Sequence, residues 1–229
     1  CIVSFLRHIA QGKHDLVILS GYANWMSLLI GCVLKCRSCA VGMRSDSILR
    51  GRQLHGLKER AKRILLPRIF AALFRTGHPT GTLAKQYLVH FGFPEASLFV
   101  FPYNVDREYL YRQSSSMVEI EKLRLRHGIP RDAFVVLGVA KLISREDPLT
   151  LVRGFLQVAE TYPAVHLVLV GEGALRGEIE ELVRNNGCAR VALPGYIPYS
   201  QLGHYYGLAN VFVHSAVGES WGVSVNEAL

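Results

Sequence analysis

Short apolar runs alternate with segments of helical periodicity along most of the chain. Runs typical of buried strands are found at 16–20, 40–43, 134–139, 166–170, 191–193 and 211–214. Helices are predicted over 23–34, from Thr80 or Thr82 to His90, over 148–161, up to Asn185 and over 199–206. This alternation predicts α/β architecture, with parallel sheets covered by helices. Ligands of such sheets bind beyond the carboxyl ends of the strands, so the loops there are the candidate sites.

Three segments have weaker patterns. Residues 69–74 could form a third strand or the end of a helix, since the periodicity does not decide between them. Residues 98–101 are rich in β-forming side chains and stop at Pro102. The polar stretch 103–116, with Ser114, Ser115 and Ser116 in succession, predicts a linker between two domains.

Composition excludes several classes of protein. With 229 residues, 50% of them hydrophobic and 19% charged, the chain can bury a core and is not disordered or collagen-like. No run approaches the roughly 20 apolar residues of a membrane-spanning helix. Five cysteines are an odd number, and the pair Cys36 and Cys39 lacks a second pair for zinc, so free thiols are expected. Because the chain starts at Cys1, we treat it as an internal fragment.

The positive charge lies in the first half of the chain. Residues 1–106 hold 14 Lys and Arg against 5 Asp and Glu, a net of +9, whereas residues 107–229 hold 12 against 13, a net of −1. Most of the basic residues fall within 35–75. Apolar residues there recur at helical spacing: Leu54, Leu57, Ala61, Ile64, Leu65 and Leu73. Basic residues lie largely on the other side: Lys58, Arg60, Lys62 and Arg63.

This basic stretch has two interpretations. It can lie on anionic lipid or another polyanion, or it can be a solvated helix that covers a sheet. Pro67 is expected to interrupt the helix in either case. Nucleic acid is not expected as a partner, because no aromatic residues interleave with the basic ones and no nucleic-acid motif accompanies them.

Four motifs follow the predicted strands of the second half in order. The first three are Gly138-Val-Ala-Lys141, Gly171-Glu-Gly173 and Pro194-Gly-Tyr196, and the fourth is the segment 219–229, Glu-Ser-Trp-Gly-Val-Ser-Val-Asn-Glu-Ala-Leu. Together they resemble the donor-binding domain of retaining glycosyltransferases of family 4, the glycosyl transferases group 1. The pair Glu219 and Glu227, with seven residues between them and Gly222 inside, is the signature of that family.

The resemblance implies the GT-B fold, in which two Rossmann-like parallel-sheet domains face a cleft. It implies a partial acceptor-side domain over 1–105, a linker and connecting helix over 106–130, and a partial nucleotide-sugar-binding domain over 131–229. Both domains would be incomplete, because the glycine-rich loop near the N-terminus and the C-terminal crossing helix of the family are missing. We therefore expect the fragment itself to be inactive.

The resemblance also implies which residues bind the donor. The expected set is Gly138, Gly171, Gly173, Tyr196, Ile197, Ser220, Trp221, Gly222, Val223 and Glu227. Glu227 would accept hydrogen bonds from the ribose hydroxyls, and the helix starting near Val223 would face the diphosphate. Each of these residues also has a structural interpretation. Taken alone, Glu227 could be an acid that stabilises a helix N-terminus. The two glycines of Gly171-Glu-Gly173 could form an ordinary turn, and Tyr196 and Ile197 could be core residues.

Catalysis in this family relies on cations that stabilise the leaving diphosphate. Lys141 matches the first of the two cationic positions, and Glu219 would reach the transferred sugar or the phosphates. At the second position, usually a lysine, this chain has Glu146. A carboxylate about 6 Å from the phosphate would cost roughly 3 kcal/mol at an effective dielectric constant of 20. We expect Arg145 to substitute for the lysine, and Glu146→Lys to preserve or raise transfer.

On the acceptor side, Arg44 stands where many relatives have a histidine. Asp46 could contact the acceptor or cap a helix, and the cap is favoured. The resulting expectation is a cytoplasmic enzyme, peripheral on the inner face of a membrane, that moves a hexose from a nucleotide-diphosphate donor to a glycan or lipid-linked acceptor. No cofactor or obligatory metal is expected. The alternatives are a pseudoenzyme that binds nucleotide-sugar or glycan and, less favoured, a GT-B epimerase or phosphorylase.

Overall fold

The chain forms two parallel-sheet units, Cys1–Tyr103 and Asn104–Leu229. A computed structural model describes residues 11–12, 14–49, 57–217 and 219–229. Cys1 and Leu54 lie outside these ranges. The cysteines within them, Cys32, Cys36, Cys39 and Cys188, are free thiols, as predicted. Within the described ranges, no helix is long and apolar enough to cross a membrane.

The N-terminal unit has a sheet of order β1-β2-β3 with parallel neighbours. Its strands are β1 (Leu16–Ser20), β2 (Ala40–Ser45) and β3 (Thr76–Pro79), and its helices are α1 (Trp25–Lys35), α2 (Leu57–Leu73) and α3 (Thr82–His90). Residues 98–101 run along the free edge of β3, because Phe99 and Phe101 donate backbone hydrogen bonds to Gly77 and Pro79, both at 2.8 Å. The predicted β-rich run at 98–101 thus lies beside the sheet.

Helix α2 corrects one prediction and decides between two alternatives. Pro67 lies inside the continuous helix and does not interrupt it. The buried face carries Leu66 and Phe70, and Phe74 is buried just after the helix, whereas the predicted apolar positions Ile64 and Leu65 are 58% and 55% exposed. Two apolar stripes of helical spacing exist in this sequence, and the aromatic one is buried because Phe70 packs on Tyr22, Phe74 and Phe93. Residues 69–73 complete this helix and are not a strand.

Helix α3 begins differently from the prediction. Its N-cap is Gly81, which has no side chain to bond the first turn, and Thr82 is the first helical residue. Helix α1 is capped as its sequence suggests, since the side chain of Asn24 accepts a hydrogen bond from the N–H of Met26 at 2.9 Å. Gly92, with the positive φ of +84° that glycine readily adopts, follows the end of α3.

The C-terminal unit has a sheet of order β6-β5-β4-β7, again with parallel neighbours. The strands are β4 (Phe134–Val139), β5 (Val165–Val170), β6 (Val191–Gly195) and β7 (Val211–Phe212). The helices are α4 (Arg107–Ser114), α5 (Met117–His127), α6 (Pro148–Thr161), α7 (Arg176–Asn185), α8 (Tyr199–Leu208) and α9 (Val223–Ala228). The chain proceeds outward from β4 through β6, then returns to the other side of β4. The direction therefore reverses between β4 and β7.

The segment predicted as a linker contains helices. Within the polar stretch 103–116, residues 107–114 form α4, and α5 follows directly; both helices lie within 106–130, where a linker and connecting helix were expected, and both belong to the C-terminal unit. The side chain of Gln113 in α4 donates to the carbonyl of Ser200 and accepts from the N–H of Gly203, both at 2.8 Å. Both partners are in the α8 region, so α4 packs on the helix that precedes β7.

Candidate active site

Three loops meet at the carboxyl edge of the C-terminal sheet. Backbone hydrogen bonds join the loop after β4 to β5 and its loop, from Ala140 to Val170 (3.1 Å) and from Leu142 to Glu172 (2.9 Å). A further bond joins Gly171 to Gly195 at the end of β6 (2.9 Å). The motifs that follow three separate strands in the sequence are thus neighbours in space.

The backbone of the neighbouring loop leaves no room for a side chain at Gly171 or Gly173. A Cβ on Gly171 would stand 1.8 Å from the carbonyl oxygen of Ala140, and one on Gly173 would stand 2.3 Å from that of Leu142. Gly171 also has φ +140°, which L side chains rarely adopt. The close approach of two loops explains both glycines, and their predicted contact with a donor stays a prediction.

Gly138 lies in β4, and Lys141 lies in the loop that follows this strand. Gly138 is within β4, and a Cβ there would meet Leu151 of α6 at 2.6 Å and Leu169 of β5 at 3.0 Å, so its lack of a side chain serves packing. Lys141 follows the strand and its side chain is exposed. Among the described residues, no ion pair involves Lys141, which leaves its ammonium group available at this edge.

Arg145 and Glu146 form an ion pair. The guanidinium donates to Glu146 Oε1 from Nη2 at 2.8 Å and from Nε at 3.3 Å. The two side chains differ in exposure, 56% for Arg145 and 8% for Glu146. The cation therefore faces solvent and the carboxylate lies beneath it, which means that Glu146 does not present an unpaired negative charge at this edge.

The loop after β7 packs on the loop after β4. Ser215 Oγ donates to the carbonyl oxygen of Glu146 at 2.9 Å, and the N–H of Val217 donates to that of Arg145 at 3.0 Å. Glu146, His214 and Glu219 each have one atom that could bind a metal ion, and these three atoms lie within 4.8 Å of one another. These loops follow β4 and β7, where the direction of the sheet reverses, and this is where ligands of open parallel sheets bind.

Glu219 is held by its own loop. Its Oε1 accepts hydrogen bonds from the backbone N–H of Ser220 at 2.9 Å and from that of Trp221 at 3.5 Å. Burial raises the pKa of Glu219, but these hydrogen bonds and the nearby charge of Arg145 outweigh it and lower the pKa below its ordinary value. Glu219 is therefore a fixed carboxylate at neutral pH.

Gly222 and Val223 lie where Glu219 meets the last helix. Gly222 is the N-cap of α9 with φ +69°, and a Cβ there would stand 3.5 Å from His214 Nε2 and 3.7 Å from Glu219 Cγ. The positive φ accounts for a glycine at this position, since those two distances are ordinary van der Waals contacts. Val223, the first residue of α9, is exposed.

Glu227 has a partner that the sequence did not reveal. Its Oε2 accepts a hydrogen bond from the Tyr206 hydroxyl of α8 at 2.8 Å. Burial raises the pKa of Glu227, and the hydrogen bond from Tyr206 offsets only part of that rise. Glu227 and Tyr206 also line a cavity of about 600 Å³, together with residues of α4 that include Arg107 and Tyr111.

Tyr196 and Ile197 follow β6 and differ in environment. The Tyr196 side chain is 74% exposed, so the alternative that it is a core residue does not hold, whereas Ile197 packs against the core of this unit. Glu172 lies beside the end of β6, because a Cβ added to Gly195 would stand 2.6 Å from Glu172 Oε1. The same oxygen accepts a hydrogen bond from Arg176 at 2.6 Å. An exposed aromatic ring and a carboxylate thus flank the end of β6.

His214, Tyr206 and Glu172 are neighbours of the predicted site that the sequence did not single out. His214 Nε2 is buried without a hydrogen-bond partner among the described residues, and its Nδ1 lies 3.5 Å from Ser224 Oγ. His214 and Glu172 stand within or beside the motifs, at the ends of strands, and could have been proposed on that ground. Tyr206 could not, because its hydroxyl reaches Glu227 across 21 residues.

In the N-terminal unit, Arg44 and Asp46 meet at Tyr103. The Arg44 guanidinium lies 4.3 Å from the centroid of the Tyr103 ring, and the Tyr103 hydroxyl donates to Asp46 Oδ2 at 3.3 Å. Residues 46–49, which follow β2, are not helical. The predicted capping role of Asp46 is therefore wrong, and its carboxylate accepts a hydrogen bond from Tyr103 instead.

Both sheets have the architecture of the GT-B glycosyltransferases, and solved structures share it. One is Anabaena HepE in complex with UDP and glucose, with a TM-score of 0.76 and 15% identity over 99% of this chain and 59% of that one. Another is a glycosyltransferase from Rickettsia africae, with a TM-score of 0.78 and 14% identity over 99% of this chain and 58% of that one. At this identity, the likeness establishes the fold predicted from the sequence.

Residues 119–229, just under half of the chain, match the sequence model of the family Glycosyl transferases group 1. Curated relatives include the alpha-monoglucosyldiacylglycerol synthase of Acholeplasma laidlawii, 24% identical over 57% of this chain and 33% of that protein. An uncharacterized glycosyltransferase of Methanocaldococcus jannaschii is 30% identical over 50% of this chain and 30% of its own length. The chain thus matches about a third of the length of these relatives, and the predicted class, glycosyltransferase, is the class that the matched family model describes.

Proposed function

We propose that the protein transfers a hexose-type sugar from a nucleotide-diphosphate donor to a glycan or lipid-linked acceptor, with retention at the anomeric carbon and without an obligatory metal. The main support is the gathering of Arg145, Lys141 and Glu219 on the loops that follow β4 and β7. Two cations and a fixed carboxylate stand there at the reversal point of a parallel sheet. The complex of HepE with UDP and glucose supports a nucleotide-sugar as the donor.

The proposed chemistry follows from the charges at this edge. As the bond between the anomeric carbon and the diphosphate stretches, negative charge grows on the leaving group, and the exposed groups of Arg145 and Lys141 would stabilise it. Glu219 would accept hydrogen bonds from the sugar hydroxyls and fix the donor relative to those cations. Tyr196 would offer its exposed ring to the nucleotide base.

All measurements of binding and turnover use the full-length protein, and donor binding is tested first by thermal shift. We expect UDP-, GDP- or ADP-sugars to raise the melting temperature in a concentration-dependent way, with one base preferred, because a ligand that binds the folded state stabilises it. Release of nucleoside diphosphate, with and without EDTA, then tests for turnover and for the absence of an obligatory metal. Failure of all three donors to raise the melting temperature would contradict the proposal.

The runner-up function is a pseudoenzyme that binds nucleotide-sugar without transferring it. It is motivated by Glu146, an acidic residue where the family usually has a lysine. The ion pair with Arg145 weakens this argument, since the carboxylate is covered by a cation. Donor stabilisation without hydrolysis or transfer, across a set of glycan and lipid acceptors, would favour the pseudoenzyme.

We further propose that the protein binds the inner face of an anionic membrane through α2. The helix exposes Ile64 and Leu65 beside Lys62 and Arg63. Exposed apolar side chains flanked by basic ones are the composition of interfacial helices. The basic stretch 35–75 thus presents side chains suited to lipid tails and headgroups.

Membrane association is expected to depend on charge. The protein should bind vesicles that contain phosphatidylglycerol at low salt, and Lys62→Glu/Arg63→Glu should weaken this binding about tenfold or more, because each basic residue near such a surface contributes about 1 kcal/mol. The matched control is Arg131→Glu/Arg184→Glu, which changes the same number of exposed charges in the C-terminal unit. Equal binding of both variants in vesicle sedimentation would overturn the role of α2.

A further inference from the structure

Arg44 lies at the carboxyl end of β2, among aromatic side chains. It pairs in register with His78 of β3, so the two side chains project from the same face of the sheet. Its guanidinium lies 5.1 Å from the centroid of the Phe101 ring, in addition to the 4.3 Å contact with Tyr103. Stacking on two rings removes much of the water from the faces of the cation.

The positive charge of Arg44 has no bonded counter-charge in the part of the unit that the structure describes. Its Nε is buried without a hydrogen-bond partner there. Glu59 is bonded to His90 at 3.0 Å and Glu95 to Lys85 at 2.8 Å, and Asp15 precedes β1 at the opposite edge of the sheet. Asp46 is bonded to Tyr103. The sequence of the undescribed residues contains no Asp or Glu.

The surroundings do not supply another anion. Burial lowers the pKa of His78, so this neighbour is a neutral imidazole at neutral pH. The backbone N–H of Thr80 donates to the carbonyl oxygen of Ser45 at 3.0 Å. Like Arg44 Nε, the side-chain oxygen Oγ1 of Thr80 is buried without a hydrogen-bond partner among the described residues. Partly buried cations in proteins are normally paired, and an arginine fork fits the oxygens of a phosphate.

We propose that Arg44 binds a phosphoryl group of the acceptor, next to an aromatic strip formed by Phe99, Phe101 and Tyr103. Phe99 and Phe101 are about half exposed and stand along the edge of the same sheet, so they would take the sugar ring or the lipid chain attached to the phosphate. This inference rests on the proposed glycosyl transfer, because it assigns the class of acceptor. The phosphate could be carried by a sugar or by a lipid.

The test compares three probes by calorimetry: inorganic phosphate, glucose 6-phosphate and a short-chain phosphatidic acid below its micelle concentration. The donor site is first saturated with the nucleotide-sugar found in the thermal-shift screen. We expect Arg44→Gln to weaken binding of all three about tenfold or more, and Arg44→Lys to weaken it less. Arg37→Gln, at an exposed turn after α1, is the matched control and should bind like the unmodified protein.

The aromatic strip separates the two sources of phosphate. If the ligand is a sugar phosphate, Phe99→Ala/Phe101→Ala should weaken glucose 6-phosphate and leave inorganic phosphate unchanged; if it is a lipid, the same variant should act most on phosphatidic acid. Unchanged affinity of Arg44→Gln for every probe, with an unchanged melting temperature, would overturn the proposal. The donor screen does not depend on Arg44, so failure here would leave the proposed transferase function standing.

Discussion

Replacing Arg145 with alanine is expected to lower transfer, or donor hydrolysis, by about a hundredfold. The physical reason is the loss of a cation that faces the leaving diphosphate, a contribution of about 3 kcal/mol at an effective dielectric constant of 20. Arg145 is the exposed member of its ion pair with Glu146, so its charge is available at the loop edge. The measurement is the rate of nucleoside diphosphate release at saturating donor.

The ion pair makes a simple alanine substitution ambiguous. Removal of Arg145 strands the buried Glu146 carboxylate, which is costly in itself and repels a phosphate. The double variant Arg145→Ala/Glu146→Gln removes that stranded charge. If Arg145 acts on the phosphate, the double variant stays slow; if the loss came only from Glu146, activity returns.

Two further variants complete this test. Arg145→Ala/Glu146→Lys places a cation where the family usually has its lysine, and we expect it to recover much of the lost rate, in line with the expectation that Glu146→Lys alone preserves or raises transfer. Arg153→Ala, an exposed arginine on α6, is the matched control and should be as fast as the unmodified protein. An active Arg145→Ala variant would refute the role of Arg145.

The sequence predicted the C-terminal sheet well because its signals are local. Residues 134–139 and 148–161 have in the structure the bounds that were predicted, since an apolar run and a proline in the first turn determine them without help from distant residues. Asp147 caps that helix through its side chain, which bonds the N–H of Thr150 at 3.4 Å. Local chemistry fixes such elements, and local reasoning finds them.

Elements that depend on distant contacts were missed. Strand β3, Thr-Gly-His-Pro, has little strand propensity, and it is a strand because it pairs with β2. Pro67 lies inside α2, where its ring packs closely against Gly92. A Cβ on Gly92 would stand 2.8 Å from Pro67 Cγ. Tertiary packing outweighs the cost of the proline in that helix.

The candidate site likewise contains features that the sequence predicts and features that depend on distant contacts. The positions of Lys141, Glu219 and Gly222 at strand ends could be predicted from motif order, because carboxyl ends of parallel strands share one edge. The burial of Glu146 beneath Arg145 could not be predicted, since it depends on the loop 213–217, whose Ser215 and Val217 bond the backbone of both residues. A residue type at an unexpected position does not reveal which way its side chain turns.

Replacing Glu227 with alanine is expected to weaken donor binding by about a hundredfold or more while leaving the protein folded. A carboxylate that accepts two ribose hydroxyls contributes two charged hydrogen bonds, each of about 1.5–3 kcal/mol. Tyr206→Phe should have a smaller effect, since it removes only the hydroxyl that orients Glu227. Donor titration by calorimetry gives the affinities, with Glu181→Ala on α7, an exposed acidic residue, as the matched control.

The same proposal makes donor binding sensitive to mild acid. Burial raises the pKa of Glu227 above the ordinary value of a glutamate, and only the ionised carboxyl can accept hydrogen bonds with both oxygens. Affinity should therefore be full at neutral pH and fall as the pH drops through that raised pKa, at a higher pH than for an ordinary glutamate. Glu227→Gln should weaken binding at neutral pH and flatten the profile. If Glu227→Gln keeps the same acid-side decline, another group causes it and Glu227 does not hold the ribose.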